Sequence, residues 1–489
     1  MSLTFPLTAT DTASTAESIA AVHADPGFGV HFTDHMAVAT WRQGSGWAGD
    51  AVVPYGPFQL DPSTAVLHYA QEVFEGLKAY RHDDGSVWLF RPERNAERMR
   101  ASARRLMLPE LPVDDFLSSI NELVRADAAW VPDAQGGEAS LYLRPFMFAN
   151  ESFLGVRAAQ TVTYCVIASP VGPYFPGGVQ PVNIWVTDRY SRAGKGGTGA
   201  AKCGGNYASS LIAQYEGADH GCSQVLFADA GSGLNTEELG GMNIMVVTAD
   251  GELITPSLTG TILEGVTRDS ILTIAGDLGL RPVARPITLA EIFERIDSGD
   301  IVEAFACGTA AVLTPVAEFR SHQGAHVIGG EPGERTLQIR AAILDVQYGR
   351  AGDPHGWLQR VLFSDPRDAL PLPWVDLPSQ LVPLRPDNLL PALQASGSIP
   401  FWLSAVHDIP GAAPGAHWDG GITDYHLHWP WAALLAPDEA TRPPGAHTPL
   451  VLYPHFQPHL VPGWLDKPWK QRHRPTPGLD NLLLLCPNP

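Results

Sequence analysis

Lysine is scarce in this chain, and only its amine can form a Schiff base and shift its pKa readily on burial. The lysines are Lys78, Lys195, Lys202, Lys467 and Lys470, and the other 27 of the 32 basic residues are arginines. Lys195 and Lys202 lie in the glycine-rich segment RAGKGGTGAAKCGGNY at 192–207, where backbone can approach a bound group closely. The segment lacks the Gly-Lys-Ser/Thr ending of a P-loop. A flexible loop and a cofactor site both remain open as interpretations.

The sequence predicts that a mixture of strands and helices positions these lysines. Short β-rich runs occur at 140–147, 161–168, 182–186, 225–228 and 244–248. Helical patterns occur at 95–106, with Met99, Ala103 and Leu106 on one face, and at 286–298. This mixed order predicts an α+β fold. The Gly- and Pro-rich segment 171–181 predicts a linker between two domains, and clefts between domains commonly hold ligands.

Charge and cysteine usage limit the class of protein. A formal net charge of -20 disfavours nucleic acid and anionic membranes as partners. The cysteines are Cys165, Cys203, Cys222, Cys307 and Cys486; they form no CxxC pair, which favours reduced thiols and indicates no zinc site. The first 41 residues contain no Lys or Arg, and no apolar run approaches the ~20 residues of a membrane span. We therefore expect a cytoplasmic protein.

Several longer motifs follow one another in the first part of the chain. They are FTDHM (32–36), FEGLKAY (74–80), LFRP (89–92), YLRP (142–145), YFPGG (174–178), KCGGNY (202–207), TEELGGMN (236–243) and FACGTA (305–310). Together they resemble the branched-chain aminotransferases of the fold-type IV pyridoxal-phosphate enzymes. The resemblance runs from about residue 20 to about residue 360. It implies a pyridoxal 5'-phosphate cofactor, amino-acid and 2-oxo-acid substrates, a homodimer, and two domains at 1–175 and 176–361.

The resemblance implies roles for the residues nearest the reaction. Lys202 would carry the cofactor and, as a free amine, move a proton at the substrate Cα. Lys195 lies outside the matching motif and is expected to be a loop lysine. Glu238 would face the pyridine nitrogen; its neighbour Glu237 competes, but alignment on Gly-Gly-Met-Asn favours Glu238. Tyr207 would form a hydrogen bond with the phenolic oxygen of the cofactor. Its alternative role is that of a core aromatic residue.

The anionic groups of cofactor and substrate need fixed donors. Arg98 resembles the phosphate-binding arginine of the family, with a solvated helix face as its alternative. The backbone N–H groups of Thr261 and Ile262, just before a helix, would cradle the phosphate. Thr309 would add its hydroxyl, and the amides of Thr309 and Ala310 would receive the substrate α-carboxylate. An ordinary tight turn is the alternative for this segment.

A branched aliphatic side chain needs an apolar wall. The resemblance supplies it from Phe28, Tyr69, Phe74, Tyr142, Val156 and Tyr174, each of which could equally be core. Arg144 or the tyrosine hydroxyls would accommodate the second carboxylate of glutamate, although Arg144 could be structural. Within the same fold, the alternative functions are a D-amino acid aminotransferase or an aminodeoxychorismate lyase. A non-catalytic binding protein is the alternative outside it.

The composition changes near residue 361. The last 128 residues hold 23 of the 43 prolines and 7 of the 13 tryptophans. Residues 393–400 and 417–424 resemble part of a patatin-type acyl hydrolase, with Asp419 at the position of its catalytic aspartate. The chain has no Gly-x-Ser-x-Gly nucleophile elbow, so hydrolase activity is not expected. Asp424, His426 and His428 lack a fourth metal ligand and predict a solvated rim. We therefore interpret 362–489 as a Pro-rich, partly patatin-like appendage.

Overall fold

The computed structural model divides into two compact units, residues 1–351 and 352–489. It describes residues 2–134, 137–174, 178–350, 360–364, 379–396, 406–407, 409–412, 416–417, 451–454 and 482–485. Asp419, Asp424, His426 and His428, on which the patatin-like and metal interpretations depended, lie outside the described residues. No helix in the described ranges is long and apolar enough to cross a membrane.

The first half of the larger unit is built on a seven-stranded sheet. Its strands are β1 (His35–Arg42), β2 (Gly46–Pro54), β3 (Glu72–Phe74), β4 (Leu77–Arg81), β5 (Val87–Leu89), β6 (Ser140–Ala149) and β7 (Thr161–Val171). The sheet order is β2-β1-β7-β6-β4-β5, and β3 also pairs with β6. Its helices are α1 (Ala16–Ala24), α2 (Ala65–Tyr69), α3 (Pro92–Arg105) and α4 (Val113–Ala126), followed by a 3-10 turn at Ala128–Trp130.

Amphipathic spacing explains how helices α3 and α4 attach to this sheet. Met99 and Ala103 of α3 are buried, as the predicted helical face requires. Phe116, Ile120 and Leu123 of α4 recur at i, i+4 and i+7 and are fully buried in the same core. The apolar stripes therefore place the polar residues of α3, including its arginines, at the edges of the core.

The second half of the larger unit carries a nine-stranded mixed sheet. Its strands are β8 (Val182–Val186), β9 (Gln224–Ala228), β10 (Thr236–Leu239), β11 (Asn243–Thr248), β12 (Glu252–Thr255), β13 (Arg281–Ala284), β14 (Ile301–Gly308), β15 (Val312–Ser321) and β16 (Gly324–Val327). The order is β10-β9-β8-β15-β14-β11-β12-β13, with β16 on β15. Its helices are α5 (Gly204–Asp219), α6 (Val266–Ile274), α7 (Leu289–Asp297) and α8 (Glu334–Gln347). The two sheets and their helices give the α+β class predicted from the sequence.

The start of helix α7 follows from local sequence signals. The Thr288 side chain accepts a hydrogen bond from the backbone N–H of Glu291, which is one half of a capping box. Ile292 and Ile296, at i and i+4, are the buried residues of the helix. The helix therefore begins at Leu289, three residues inside the predicted range 286–298.

The smaller unit contains three two-stranded pairs and one helix within its described residues. These elements are β17 (Arg360–Ser364), β18 (Ser379–Pro383), α9 (Leu389–Ser396), β19 (Val406–His407), β20 (Ala416–His417), β21 (Val451–Pro454) and β22 (Leu482–Leu485). Strand β17 pairs with β18 and β21 with β22 in parallel, whereas β19 and β20 are antiparallel.

Candidate active site

Lys202 lies directly before helix α5, in backbone that is held on both sides. Its N–H donates to Ser102 Oγ of α3 at 2.9 Å, and its carbonyl oxygen accepts from Phe74 N at 3.0 Å. The next residue, Cys203, is the extended N-cap of α5 with φ -131°. The lysine is therefore fixed where α3, β3 and α5 meet, whereas Lys195 is exposed.

The Lys202 side chain is partly buried, and its amine lies between two aromatic rings. Its Nζ donates to Tyr207 Oη at 2.6 Å and lies 4.7 Å from the centre of the Phe74 ring. Burial, reinforced by the nearby Arg98 charge, lowers the Lys202 pKa to about 8. Burial raises the pKa of Tyr207 to about 12, so this phenol keeps its proton at neutral pH. The site thus pairs an amine that can be neutral with a phenol that can still donate.

Glu238 is a buried carboxylate held by three donors. Its Oε1 accepts from Arg192 Nη1 at 2.7 Å and from Leu263 N at 2.8 Å, and its Oε2 accepts from Asn243 Nδ2 at 3.1 Å. Burial raises the Glu238 pKa to about 7, against the opposing charge of Arg192. A carboxylate offers roughly four acceptor positions, so one remains for a further donor.

The neighbouring Glu237 has a different environment. Side chains alternate between faces along a strand, and both residues lie on β10. Glu237 accepts from Thr261 Oγ1. The Lys202 charge acts on Glu238, and the Glu238 charge acts on Tyr207. This geometry favours Glu238 over Glu237 as the carboxylate of the site.

Arg98 of α3 forms a buried ion pair with Glu75. Its Nε and Nη2 each donate to a Glu75 carboxylate oxygen at 2.8 Å, and its Nη1 donates to Glu264 O at 3.0 Å. Burial by itself would raise the Glu75 pKa, but the Arg98 charge and hydrogen bonds outweigh it and hold that pKa below its ordinary value. Three of the five guanidinium N–H donors are used, so two remain for an anion.

We expect Glu75→Gln to lower the free energy of unfolding by about 3–5 kcal/mol, because it leaves the Arg98 charge buried without a counter-charge. The Glu75 side chain is fully buried. Since the folded pKa of Glu75 lies below 4.5, its contribution is complete above that pH and is lost as the pH falls through the folded pKa. Denaturant unfolding at several pH values measures both effects.

The matched control is Glu97→Gln on the same helix. Glu97 pairs with Arg94 at 2.8 Å, but both side chains are about half exposed. Such surface pairs contribute about 0–1 kcal/mol. Equal losses of stability in the two variants would show that the Arg98–Glu75 pair does not stabilise the fold.

The loop before α6 presents unused backbone donors. Thr261 and Ile262 are buried, and their backbone N–H groups have no acceptor among the described residues. Helix α6 follows with Gly265 as its N-cap and no side-chain cap. A cavity of about 550 Å³ lies here, lined by residues that include Arg98 and Gly265. Orphan amides, a helix N-terminus and an arginine together suit a phosphate group.

Gly199 lies at a position of the glycine-rich segment 192–207 that has no room for a side chain. A Cβ atom at this position would lie 2.2 Å from the carbonyl oxygen of Thr261. The close backbone approach at this position is therefore made to the loop before α6.

The turn between β14 and β15 presents a second pair of donors. In the described part of the chain, the N–H groups of Thr309 and Ala310 donate to no other residue. Thr309 Oγ1 donates to Gly76 O at 3.2 Å, which ties the turn to the segment that carries Glu75. Two adjacent free amides in a tight turn can bind a carboxylate.

Some of the residues predicted to line the substrate pocket come together. The Phe28 ring centre lies 5.3 Å from that of Tyr142, and the Phe74 ring centre lies 5.0 Å from that of Tyr207. The guanidinium carbon of Arg144 lies 4.8 Å from the Phe74 ring centre, and its Nη2 donates to Tyr142 Oη at 3.0 Å. These side chains form an aromatic and cationic group beside the lysine.

Four of the six predicted apolar lining residues lie at the surface of this chain. Phe28, Tyr69 and Tyr174 are 51%, 40% and 42% exposed, and Val156 is 89% exposed. Tyr69 Oη donates to the carbonyl oxygen of Leu154, which is itself 64% exposed. The single chain therefore leaves one side of the predicted apolar wall open to solvent.

Three residues of the site were not assigned from the sequence, namely Glu75, Arg192 and Asn243. Each stands inside or at the edge of a motif quoted above, at 74–80, 192–207 and 236–243. A charged residue inside a mainly apolar or glycine-rich motif, such as Glu75 or Arg192, is a usable signal, because charged residues are rarely buried without a partner. The uncharged Asn243 gives no such signal. Which partner they take depends on the tertiary structure.

Comparison with known proteins decides the family. A family model described as amino-transferase class IV matches residues 72–319. A probable branched-chain-amino-acid aminotransferase of Streptomyces coelicolor is 55% identical over 341 residues, which cover 69% of this chain and 93% of that protein. The chain belongs to the class IV aminotransferases. A branched-chain-amino-acid aminotransferase of Mycolicibacterium smegmatis is 50% identical, with 73% of this chain and 99% of that protein covered.

Solved structures agree with the sequence relatives of this aminotransferase. A branched-chain amino acid aminotransferase of Escherichia coli matches with a TM-score of 0.54 and 26% identity, covering 66% of this chain and 98% of that one. A further matching branched-chain amino acid aminotransferase, solved with pyridoxamine 5'-phosphate, has a TM-score of 0.53 and 27% identity, covering 66% and 97%. The predicted fold-type IV aminotransferase fold is confirmed. These matches give no support to the patatin-like resemblance of residues 362–489.

The donor set of the aminotransferase fits pyridoxal phosphate. A buried amine suits its carbonyl group, a protonated phenol suits its phenolic oxygen, and a buried carboxylate with a free acceptor position suits its ring nitrogen. Two guanidinium N–H groups and the amides of Thr261 and Ile262 suit its phosphate. Each of these four groups of the cofactor would thus find a chemically matched partner among these residues.

Proposed function

We propose that this aminotransferase reversibly transfers the amino group of L-leucine, L-isoleucine or L-valine to 2-oxoglutarate, giving a branched-chain 2-oxo acid and L-glutamate. The observation that carries the proposal is the partly buried Lys202 amine, which is hydrogen-bonded to Tyr207 at 2.6 Å beside Arg98 and Glu238. The 50–55% identity to branched-chain aminotransferases supports this choice of substrates.

Pyridoxal phosphate, when bound, supplies a carbonyl that takes up the amino group and a ring that accepts an electron pair from the substrate Cα. Lys202 would hold it covalently and Tyr207 would donate to its phenolic oxygen. Glu238 would bind the ring N–H through its remaining acceptor position. Arg98 and the amides before α6 would hold its phosphate, and the Thr309 hydroxyl would join them by exchanging its hydrogen bond to Gly76 O.

Lys202 is also the proposed proton carrier. A general base works best when its pKa lies near the working pH, and burial brings the Lys202 pKa to about 8. When its amine is free, the neutral Nζ takes the proton from the substrate Cα. Tyr207 keeps the amine oriented through the 2.6 Å hydrogen bond.

The lowered pKa predicts a pH dependence of cofactor attachment. The rate at which pyridoxal phosphate attaches to the apoprotein is expected to rise about tenfold per pH unit below pH 8, because only the neutral amine reacts. Above about pH 8 the rate is expected to level off. Stopped-flow absorbance measures this profile. A rate that keeps rising toward the ordinary lysine pKa of 10.5 would show that Lys202 is not desolvated.

We propose that the substrate lies between the aromatic group and the β14–β15 turn. The amides of Thr309 and Ala310 would bind the α-carboxylate shared by all substrates. Phe28, Phe74 and Tyr142 would contact the branched side chain. Arg144 would accommodate the second carboxylate of glutamate, since a guanidinium binds carboxylates in a bidentate manner. Two chemically different side chains would thereby use one pocket.

We also propose a homodimer in the cytoplasm, with domains at 1–175 and 176–361. Exposed apolar side chains beside the site support the dimer, notably Leu154 at 64% and Val156 at 89% exposure. A second copy that covers them would complete the wall formed by Tyr69, Val156 and Tyr174. Sedimentation of the purified protein measures the oligomeric state.

The direct test combines absorbance and product formation. The purified protein with pyridoxal phosphate should show a visible band that falls when L-leucine is added and returns with 2-oxoglutarate, as L-glutamate appears. D-Leucine and D-alanine should leave the band unchanged. A protein that binds the cofactor but forms no glutamate from leucine would contradict the proposal, and a response to D-alanine would favour a D-amino acid aminotransferase.

A further inference from the structure

Lys78 is a buried lysine to which the proposed reaction gives no role. It lies on strand β4, is 6% exposed, and its Nζ donates to the carbonyl oxygen of Ala310 at 3.0 Å. Burial lowers its pKa to about 8, so keeping an ammonium here costs free energy. A buried ammonium that contacts the turn at Ala310 at this cost indicates a role for Lys78 at that turn.

The charged residues near Lys78 do not explain why its ammonium is buried. Glu138, the carboxylate that acts on Lys78, is bound by both terminal nitrogens of Arg340 at 2.6 Å. Within the described residues, no carboxylate lies within ion-pair distance of the Lys78 amine. A cavity of about 10 Å³ beside Lys78 and Thr309 is near the lower limit for one water molecule. The Ala310 carbonyl is therefore a principal partner of the ammonium.

The turn that Lys78 contacts is strained. Gly308 pairs with Val312, so residues 309–311 form a three-residue connection between β14 and β15. Val312 has φ 60°, in the left-handed region, where a β-branched residue is a genuine outlier. Strained backbone of this kind persists only where surrounding contacts hold it. Two contacts with one segment do so here: Lys78 Nζ donates to Ala310 O, and Thr309 Oγ1 donates to Gly76 O.

We propose that Lys78 is a positioning residue for substrate carboxylate recognition, because its ammonium holds the Ala310 carbonyl and thereby keeps the Thr309 and Ala310 amides directed at the substrate. The inference rests on the proposed binding of the α-carboxylate at this turn. Lys78 itself touches neither substrate nor cofactor. Its removal should therefore weaken ligands that carry the carboxylate and spare those that lack it.

The test compares two ligands of the holoenzyme. 4-Methylpentanoate presents the branched chain and the carboxylate, whereas 3-methylbutylamine presents the branched chain and the amine alone. For Lys78→Met, which keeps the length of the side chain, we expect the Kd of 4-methylpentanoate and the KM of L-leucine to rise about tenfold or more. The affinity for 3-methylbutylamine, read from cofactor absorbance, and the cofactor content should stay close to those of the wild type.

Lys195→Met is the matched control, since it removes an exposed lysine and should alter neither affinity. Unchanged 4-methylpentanoate binding in Lys78→Met, or equal weakening of both ligands, would overturn the inference. If Lys78→Met does not fold, Lys78→Gln is measured with the same ligands and the same criterion. Failure of the wild type to bind 4-methylpentanoate would instead contradict the proposed function.

Discussion

Lys202→Ala is expected to lower kcat for leucine transamination by at least about 10²–10⁴-fold, the range that general acid–base catalysis contributes. Alanine removes the proton carrier and the covalent attachment together. It also removes the hydrogen bond from Nζ to Tyr207 Oη. Because Arg98, Glu238 and the orphan amides remain, the variant should still bind pyridoxal phosphate without a covalent bond.

Borohydride reduction followed by mass measurement separates these effects. The wild type should retain the cofactor mass on Lys202 after denaturation, and Lys202→Ala should not. Lys195→Ala is the control, since Lys195 lies in the same glycine-rich segment but is exposed. It should keep both the adduct and the activity. An adduct that persists in Lys202→Ala would show that another lysine carries the cofactor.

Glu238→Gln is expected to lower kcat by about 10²–10³-fold, the order found when one preorganised electrostatic partner is removed. Glutamine keeps the volume of the side chain but gives up the charge that would hold the ring nitrogen protonated. Arg192, which is 1% exposed, then loses the counter-charge 2.7 Å away.

Glu237→Gln is the matched comparison on the same strand. Its contact with the Thr261 hydroxyl survives in part, because the glutamine oxygen also accepts a hydrogen bond. It should keep far more of kcat than Glu238→Gln. If Glu238→Gln shows the cofactor spectrum of the wild type but a low kcat, its defect lies in the reaction and not in cofactor binding. Equal kcat losses in the two variants would contradict the choice of Glu238.

The secondary structure was largely predictable because local signals agree with the tertiary structure. The predicted strand at 182–186 is β8, and the predicted strand at 140–147 is the first part of β6. Helix α3 begins at Pro92, three residues before the predicted range, since proline is well tolerated in the first turn. Apolar spacing fixes which face is buried, but strand order and sheet membership depend on contacts between distant residues.

The sequence by itself determined the family motifs, the α+β class and the choice of Lys202 over Lys195. Lysine scarcity left Lys195 and Lys202 as candidates in one glycine-rich segment, and the resemblance of KCGGNY (202–207) to the family motif favoured Lys202. Only the tertiary structure showed that Arg98 pairs with Glu75, that Arg192 pairs with Glu238, and that Lys78 donates to the Ala310 carbonyl. It also showed Val156 at the surface. Pairing of buried charges depends on distance and desolvation in three dimensions, and a one-dimensional spacing contains neither.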